Sequence, residues 1–280
     1  DMDSSTQTGA IDYPEKVVAY LDILGFRRLV LQSRDQAKAA IRRLDSCLNH
    51  SLKCLSLEGG PDWFSVKLFS DCFCISCNDS GSDLFLMLSE LSFLQWYLAA
   101  GGIFIRGGLS FGAHYENERI IFSEGLIRAY ELQALDPYPR VLMDPDLAER
   151  IRQERPDHYR SELLPYILKA QDAVFFVDYL QGMAEMDTYT GNLDETLEAH
   201  KKAILQQVAL NWSCPAVLPK YRWLADYHNF KFAELYSRED WVEGYFEELR
   251  DRLLIPLSAF PSFERVLEGD KAEPSGGPGP

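Results

Sequence analysis

No apolar run in these 280 residues approaches the roughly 20 that a membrane-crossing helix needs. Residues 1–12 are polar and acidic and lack the apolar stretch of a secretory signal. Basic charge is scarce too: 28 Lys and Arg stand against 43 Asp and Glu, a net charge of −15. That balance argues against a general nucleic-acid binder, which needs surplus cations to displace counterions. It leaves room for a small nucleotide in a local basic pocket. Histidines number five and cysteines six. Cys72, Cys74 and Cys77 are close in sequence, but four ligands at zinc spacing are missing and no histidine is near. Reduced, mostly buried thiols in a cytoplasmic protein are the expectation.

What the chain does have is an acidic residue in an apolar run. Val17, Val18, Tyr20, Leu21, Ile23 and Leu24 surround Asp22, and Gly25 follows at once. The run suits a strand covered on both faces. An ionised Asp there costs several kcal/mol unless a metal or a cation meets it. A second run, 64–77, splits at Ser70-Asp71 into two β-rich halves, 64–69 and 72–77, and reads as a tight hairpin with a carboxylate at its tip. Two carboxylates so placed can hold two divalent cations over a triphosphate.

Between these blocks the period changes. Ala37, Ile41, Leu44, Leu48, Leu52 and Leu55 recur at helical steps, and Gly59-Gly60-Pro61 closes that helix. Leu84, Leu88, Leu91, Leu94 and Leu98 predict a second helix, with Ser82 or Asp83 as its cap. Strands at 103–112 and 118–122, a helix over 123–135, a short helix over 145–154 and a strand over 173–179 follow. From about residue 192 the pattern is helical, with Leu193, Leu197, Ile204 and Val208 on one face. The order is β-α-β-β-α-β, so the fold class is α+β: a ferredoxin-like core with a partly helical C-terminal extension. The expected division is a flexible arm (1–14), a core domain (15–178), an extension (179–268) and a disordered Gly/Pro/Ser-rich tail (269–280).

Three blocks resemble the catalytic domain of class III nucleotide cyclases: Asp22-Ile23-Leu24-Gly25-Phe26, then Lys67-Leu68-Phe69-Ser70-Asp71-Cys72-Phe73, then Ile105-Arg106-Gly107-Gly108-Leu109-Ser110-Phe111-Gly112. They occur in the family's order. The resemblance implies that Asp22 and Asp71 bind two Mg²⁺ or Mn²⁺ ions, with the Ile23 carbonyl as a further ligand. It implies phosphate contacts from the Gly25 and Phe26 backbone and from Arg106, and a base-reading role for Lys67. It also implies a homodimer with composite active sites.

The family's ribose-orienting Asn, transition-state Arg and adenine-reading Asp fall here on Ile127, Glu131 and Ile120. In that loss the chain looks like the bacterial Pycsar cyclases, which make cyclic UMP or cyclic CMP in defence against phage. Arg128, Tyr130 and Lys220 are candidates for the replaced contacts, and Phe69, Phe73 and Phe111 for a bulkier pocket wall around a pyrimidine. The expectation is a UTP or CTP cyclase whose product acts on a separate effector protein. The alternatives are an adenylate or guanylate cyclase, a dinucleotide cyclase and a catalytically silent nucleotide-binding module. The single acidic residue in Ser70-Asp71-Cys72 disfavours the dinucleotide cyclase, which carries two in a row.

Overall fold

The computed structural model describes residues 11–58, 64–153, 161–190, 193–236 and 243–260. The predicted tail, most of the arm and the Gly59-Gly60-Pro61 turn lie outside them.

The core follows the expected order. Strand β1 (Glu15–Ile23) leads into helices α1 (Phe26–Leu31) and α2 (Arg34–Glu58). The hairpin β2 (Phe64–Phe69) and β3 (Cys72–Asn78) precedes α3 (Gly81–Ala100), β4 (Ile105–Glu116), β5 (Ile121–Ser123) and α4 (Glu124–Leu135). In the sheet β1 lies between β3 and β4, antiparallel to both, and β2 pairs with β3. This is the βαββαβ arrangement, and it makes β1 a central strand. That explains its near-continuous apolar run: Val17, Val18, Ala19 and Leu21 are fully buried.

Alternation along β1 sets the two faces of the sheet. Val17, Ala19, Leu21 and Ile23 join Phe73, Ile75 and Leu109 under α3, whose Leu84, Leu88, Leu91, Leu94 and Leu98 are all buried. The predicted α3 stripe is therefore the core stripe. Its cap is Ser80, whose Oγ accepts from the Asp83 N–H at 3.0 Å, in place of the predicted Ser82 or Asp83. Ser80 is extended and its hydroxyl reaches the first free N–H groups, while Ser82 is already in the helix. In α2 the buried stripe is centred on Ala40, Leu44 and Cys47, and Ile41 is left 63% exposed.

The sheet continues beyond the predicted core. β6 (Val141–Met143) adds parallel to β4, and β8 (Phe175–Val177) and β7 (Ile167–Lys169) complete the order β2-β3-β1-β4-β6-β8-β7. Helix α5 (Pro145–Gln153) follows β6. Among the described residues four helices come after β8: α6 (Tyr179–Thr190), α7 (Leu193–Leu210), α8 (Leu218–Leu235) and α9 (Glu243–Leu253). Their apolar faces form one cluster with Ala99, Phe104, Leu142 and Phe176 of the core. Among the described residues no helix is long and apolar enough to cross a membrane.

Candidate functional site

The other face of β1 carries Tyr20 and Asp22. The register sets Phe69, Cys72, Asp22 and Arg106 side by side across β2, β3, β1 and β4. The next row is Lys67, Cys74, Tyr20 and Gly108. Helix α4 lies on this face, because β4 is stripped to glycine beneath it. A Cβ on Gly108 would stand 2.1 Å from Ala129 O, and one on Gly112 would stand 2.8 Å from Gly125 N.

Asp71 sits in the β2–β3 turn next to Ser70, whose φ of 60° is left-handed. The Asp71 carbonyl accepts from the Ile23 N–H at 3.0 Å, which ties the turn to the end of β1. Asp22, Asp71 and Cys72 thus present one ligand atom each, all within 4.8 Å of one another. The two carboxylates at that spacing fit a hard divalent cation, which takes oxygen ligands. Burial, with the charges of Asp71 and Asp22, pushes the Cys72 thiol up, and the bond with Tyr20 only partly offsets this. Cys72 is therefore a neutral thiol beside the two carboxylates. It lies 2.8 Å from Tyr20 Oη, and burial raises the Tyr20 phenol above its ordinary range as well.

The cation that meets Asp22 here is Arg106. Its Nε donates to Asp22 Oδ2 at 2.8 Å, and the buried Gln133 of α4, with its amide turned so that the oxygen points inward, accepts from the Nη groups of the same guanidinium at 3.1 Å. Arg106 is thereby held against the acidic pair rather than extended toward solvent. Gly25 takes φ 76° at the start of α1, a conformation that favours glycine, and its carbonyl accepts from the Arg28 and Leu29 N–H groups. Phe26 opens that helix and packs on the core.

The residues expected to line a base pocket divide. Lys67, the half-exposed Phe69 and the half-exposed Tyr130 lie on the Asp22 face, and the Tyr130 ring meets Tyr20 edge-on at 5.3 Å. Phe73 is a correction: strand alternation turns it into the core, where it is fully buried. Phe111 is another, because alternation puts it on the core side, where the Arg128 and Arg150 guanidinium groups stack against its ring. Arg128 itself pairs with Asp144 and Asp146 at 3.1 Å each, so the structure does not bring it to Asp22. Ile120, Ile127 and Glu131 are all exposed.

Gln133 joins the site although the motifs did not single it out. Glu116, at the far end of β4 from Arg106, shares that face of the sheet and accepts from Ser76 Oγ at 3.2 Å. Burial raises its carboxyl, but hydrogen bonds from His114, Ser65 and Ser76 and the charge of His114 outweigh this and hold it down at about 2. The extension contributes Lys220 from the first turn of α8. Burial lowers its ammonium, Arg106 adds to this and Asp22 opposes it, so Lys220 lies within electrostatic reach of the Asp22–Arg106 pair.

No known family's sequence profile matches the chain, and no curated protein does. Solved structures with similar folds include a bacterial light-regulated adenylyl cyclase, with 13% identity, TM-score 0.39, and coverage of 61% of this chain and 54% of that one. The guanylyl cyclase Cya2 has 8% identity, TM-score 0.36, and coverage of 59% and 92%. A class III adenylyl cyclase-like ATP-binding protein from Pseudomonas aeruginosa has 12% identity, TM-score 0.39, and coverage of 62% and 40%. The chain spans about half the length of the first of these.

Proposed function

We propose that the chain is a nucleotide cyclase that converts UTP, or CTP, to the 3′,5′-cyclic nucleotide and pyrophosphate. The observation that carries the reading is the meeting of Asp22 and Asp71 with Cys72 at the end of a central strand, within 4.8 Å. The three sequence blocks in the family's order support it. Asp22 and Asp71, with the Ile23 carbonyl, would hold two Mg²⁺ or Mn²⁺ ions. Bound there, the ions would activate the ribose 3′-hydroxyl and neutralise charge on the α-phosphate and the departing pyrophosphate.

The chain's own groups bind and orient. The Gly25 and Phe26 backbone borders the phosphates. Arg106 keeps the Asp22 carboxylate turned to the site and, with cations bound to that carboxylate, would be free to meet the phosphates. Lys67, Phe69 and Tyr130 surround the base, and Glu116 supplies an acceptor close to Cys74, which pairs with Lys67 in the sheet. Half-exposed aromatic residues on this face, Phe69 and Tyr130 among them, suit a homodimer with composite sites. In this reading the protein acts in the cytoplasm, and its product signals to a separate effector in anti-phage defence.

A second reading is favoured by the Asp22–Arg106 pair, which fills one coordination position: a silent module that binds a nucleotide to regulate a partner. One experiment separates the two. The protein is incubated with Mn²⁺ and each of ATP, GTP, CTP and UTP, and products are resolved by mass spectrometry beside Asp22→Ala and Asp71→Ala. Cyclic UMP or cyclic CMP, lost in both variants, supports the proposal. Cyclic AMP overturns the base assignment. Metal-dependent nucleotide binding without any product moves the weight to the silent module.

A further inference from the structure

Where α1 meets the turn between α7 and α8, apolar side chains from two segments far apart in sequence face solvent together. Leu31 at the end of α1, Leu210 at the end of α7 and Trp212 in the turn are each more than half exposed. Arg28 joins the two segments: its Nη1 donates to Asn211 Oδ1 at 2.6 Å and its Nη2 to Leu210 O at 3.5 Å. Leu31 stands one helical turn on from Arg28 and so lies beside that junction. Asn211 is buried, and its Nδ2 donates to Gln207 O at 2.7 Å, so the turn is held with Asn211 inward and its two neighbours outward. The charge around these tips is one-sided. In a chain with 43 Asp and Glu, residues 24–34 and 201–220 hold none, and they carry Arg27, Arg28, Arg34, Lys201, Lys202 and Lys220. Arg27 and Arg34 are exposed. The next carboxylate along the chain, Asp35, pairs with Lys38 at 3.8 Å.

We propose that this face docks on an anionic lipid surface, with Leu31, Leu210 and Trp212 set into the boundary between headgroups and acyl chains and Arg27 and Arg34 against lipid phosphates. Solvent-facing leucines beside a tryptophan make an apolar patch of the kind that marks an interaction site, and the indole is a ring that membrane interfaces favour. Cations rimming apolar tips complement an anionic bilayer, which rewards both at once. The net charge of −15 does not prevent this, because charges farther than about 8–10 Å from the surface are screened at physiological salt. A second copy is a poor occupant: a two-fold pairing of this face would set Arg27 and Arg34 against their own kind. No helix among the described residues is long and apolar enough to cross a bilayer, so the contact is with its surface. The inference does not depend on the reaction proposed above.

The test is co-sedimentation of the full chain with vesicles of phosphatidylcholine alone and of phosphatidylcholine with phosphatidylglycerol, at low and high salt, with a thermal melt of each variant. We expect binding to the anionic vesicles, weaker at high salt, and none to the neutral ones. The double variant Arg27→Gln, Arg34→Gln should weaken it about tenfold or more, at roughly fivefold per cation. Leu31→Ser and Trp212→Ser should each weaken it about fivefold or more. Phe122→Ser alters an exposed aromatic on β5, at the opposite end of β1, and should bind as the wild type does. Absence of binding to anionic vesicles would overturn the proposal, and so would equal binding to both kinds. So would binding that neither the arginine pair nor Trp212→Ser weakens, or a loss in Phe122→Ser as large as theirs. A change of oligomeric state by light scattering in Leu31→Ser, with vesicle binding intact, would make the face a contact between copies and overturn it too. Should Leu31→Ser or Trp212→Ser fail to fold, the arginine pair decides, since neither guanidinium has a hydrogen bond or ion pair among the described residues to break.

Discussion

Arg106 stands directly across from Asp22 in the β1–β4 ladder, and its Nε donates to Asp22 Oδ2 at 2.8 Å. The pair is largely but not fully buried, with side chains 29% and 14% exposed. Removing the guanidinium leaves a carboxylate with little water. Arg106→Ala is therefore expected to lower stability by about 2 kcal/mol, below the cost of breaking a fully buried pair. Arg106→Lys should not restore it, because an ammonium cannot reach both Asp22 and Gln133 as the planar fork does. Urea titrations of the two variants measure this, and full stability in Arg106→Ala would show that the pair contributes nothing.

Asp71 is at a turn tip, and among the described residues the contact its side chain makes is one of 3.7 Å from the Cys72 thiol. Asp71→Asn should keep the melting temperature within a few degrees and reduce product formation about a thousandfold or more, the loss of several kcal/mol of charge stabilisation. A variant retaining a tenth of wild-type turnover would mean that Asp71 is only a turn residue.

The extension contains a chain of buried hydrogen bonds whose direction is fixed. The Leu253 carbonyl can only accept, so His228 Nε2 carries the hydrogen in the 2.9 Å bond between them. His228 Nδ1 must then accept from His200 Nδ1 at 3.0 Å, and His200 Nε2 from Tyr179 Oη at 2.6 Å. Both rings are neutral. Burial holds His228 down at about 4, with Lys201 adding to this and the Leu253 bond opposing it. Burial and His228 hold His200 well below its usual range. Unfolded histidines bind protons from about pH 6.5 downward and these do not, so stability is complete above that pH and falls as pH drops toward 4. His228 alone accounts for on the order of 3 kcal/mol over that window. His228→Gln should be less stable at pH 8 and show a flatter slope between pH 6.5 and 4.5. An unchanged slope would mean that the two rings do not set it.

Most of the core was legible in the sequence, and so was the meeting of Asp22 with Asp71. The β1 run was legible because a central strand is apolar on both faces, and Ser70-Asp71 because a two-residue break between β-rich halves forces a turn. Phe73 and Phe111 were misplaced although alternation from Asp22 and Arg106 puts them on the far face. β6 and β7 could not be seen, since three residues carry no period. Arg128 was misassigned because its partner Asp144 lies past β6, and nothing local shows that the two meet. Gln133 reaches the site through packing of α4, which no local pattern encodes.

Lys231 is 1% exposed, and its Nζ lies 2.9 Å from Asp178 Oδ2, itself 2% exposed. Asp178 also accepts from Tyr227 Oη at 2.6 Å, and Gln181 accepts from Lys231 at 2.9 Å. The pair pins α8 to the junction of β8 and α6. Lys231→Met alone strands a buried carboxylate and should cost about 3–5 kcal/mol. The double variant Lys231→Met, Asp178→Asn removes both charges and should recover part of that loss. Equal losses in single and double variants would mean that packing of the lysine stem, not the charge pair, is what α8 requires.

The two glycines of Arg106-Gly107-Gly108 have a steric purpose that ties the third sequence block to the site. At Gly108 a Cβ would lie 2.1 Å from Ala129 O, and at Gly107 one would lie 2.4 Å from Tyr20 O. Neither neighbour is the end of a flexible side chain, so backbone must move. Gly108→Ala should lift α4 off the sheet and cost about 3 kcal/mol or more, at the upper end of overpacking. The same helix carries Gln133 against Arg106 and Tyr130 against Tyr20. Activity measured well below the melting temperature should therefore fall further than the folded fraction does, because the displaced helix misplaces both contacts. A Gly108→Ala protein with wild-type stability would show that α4 is not seated on β4 as described.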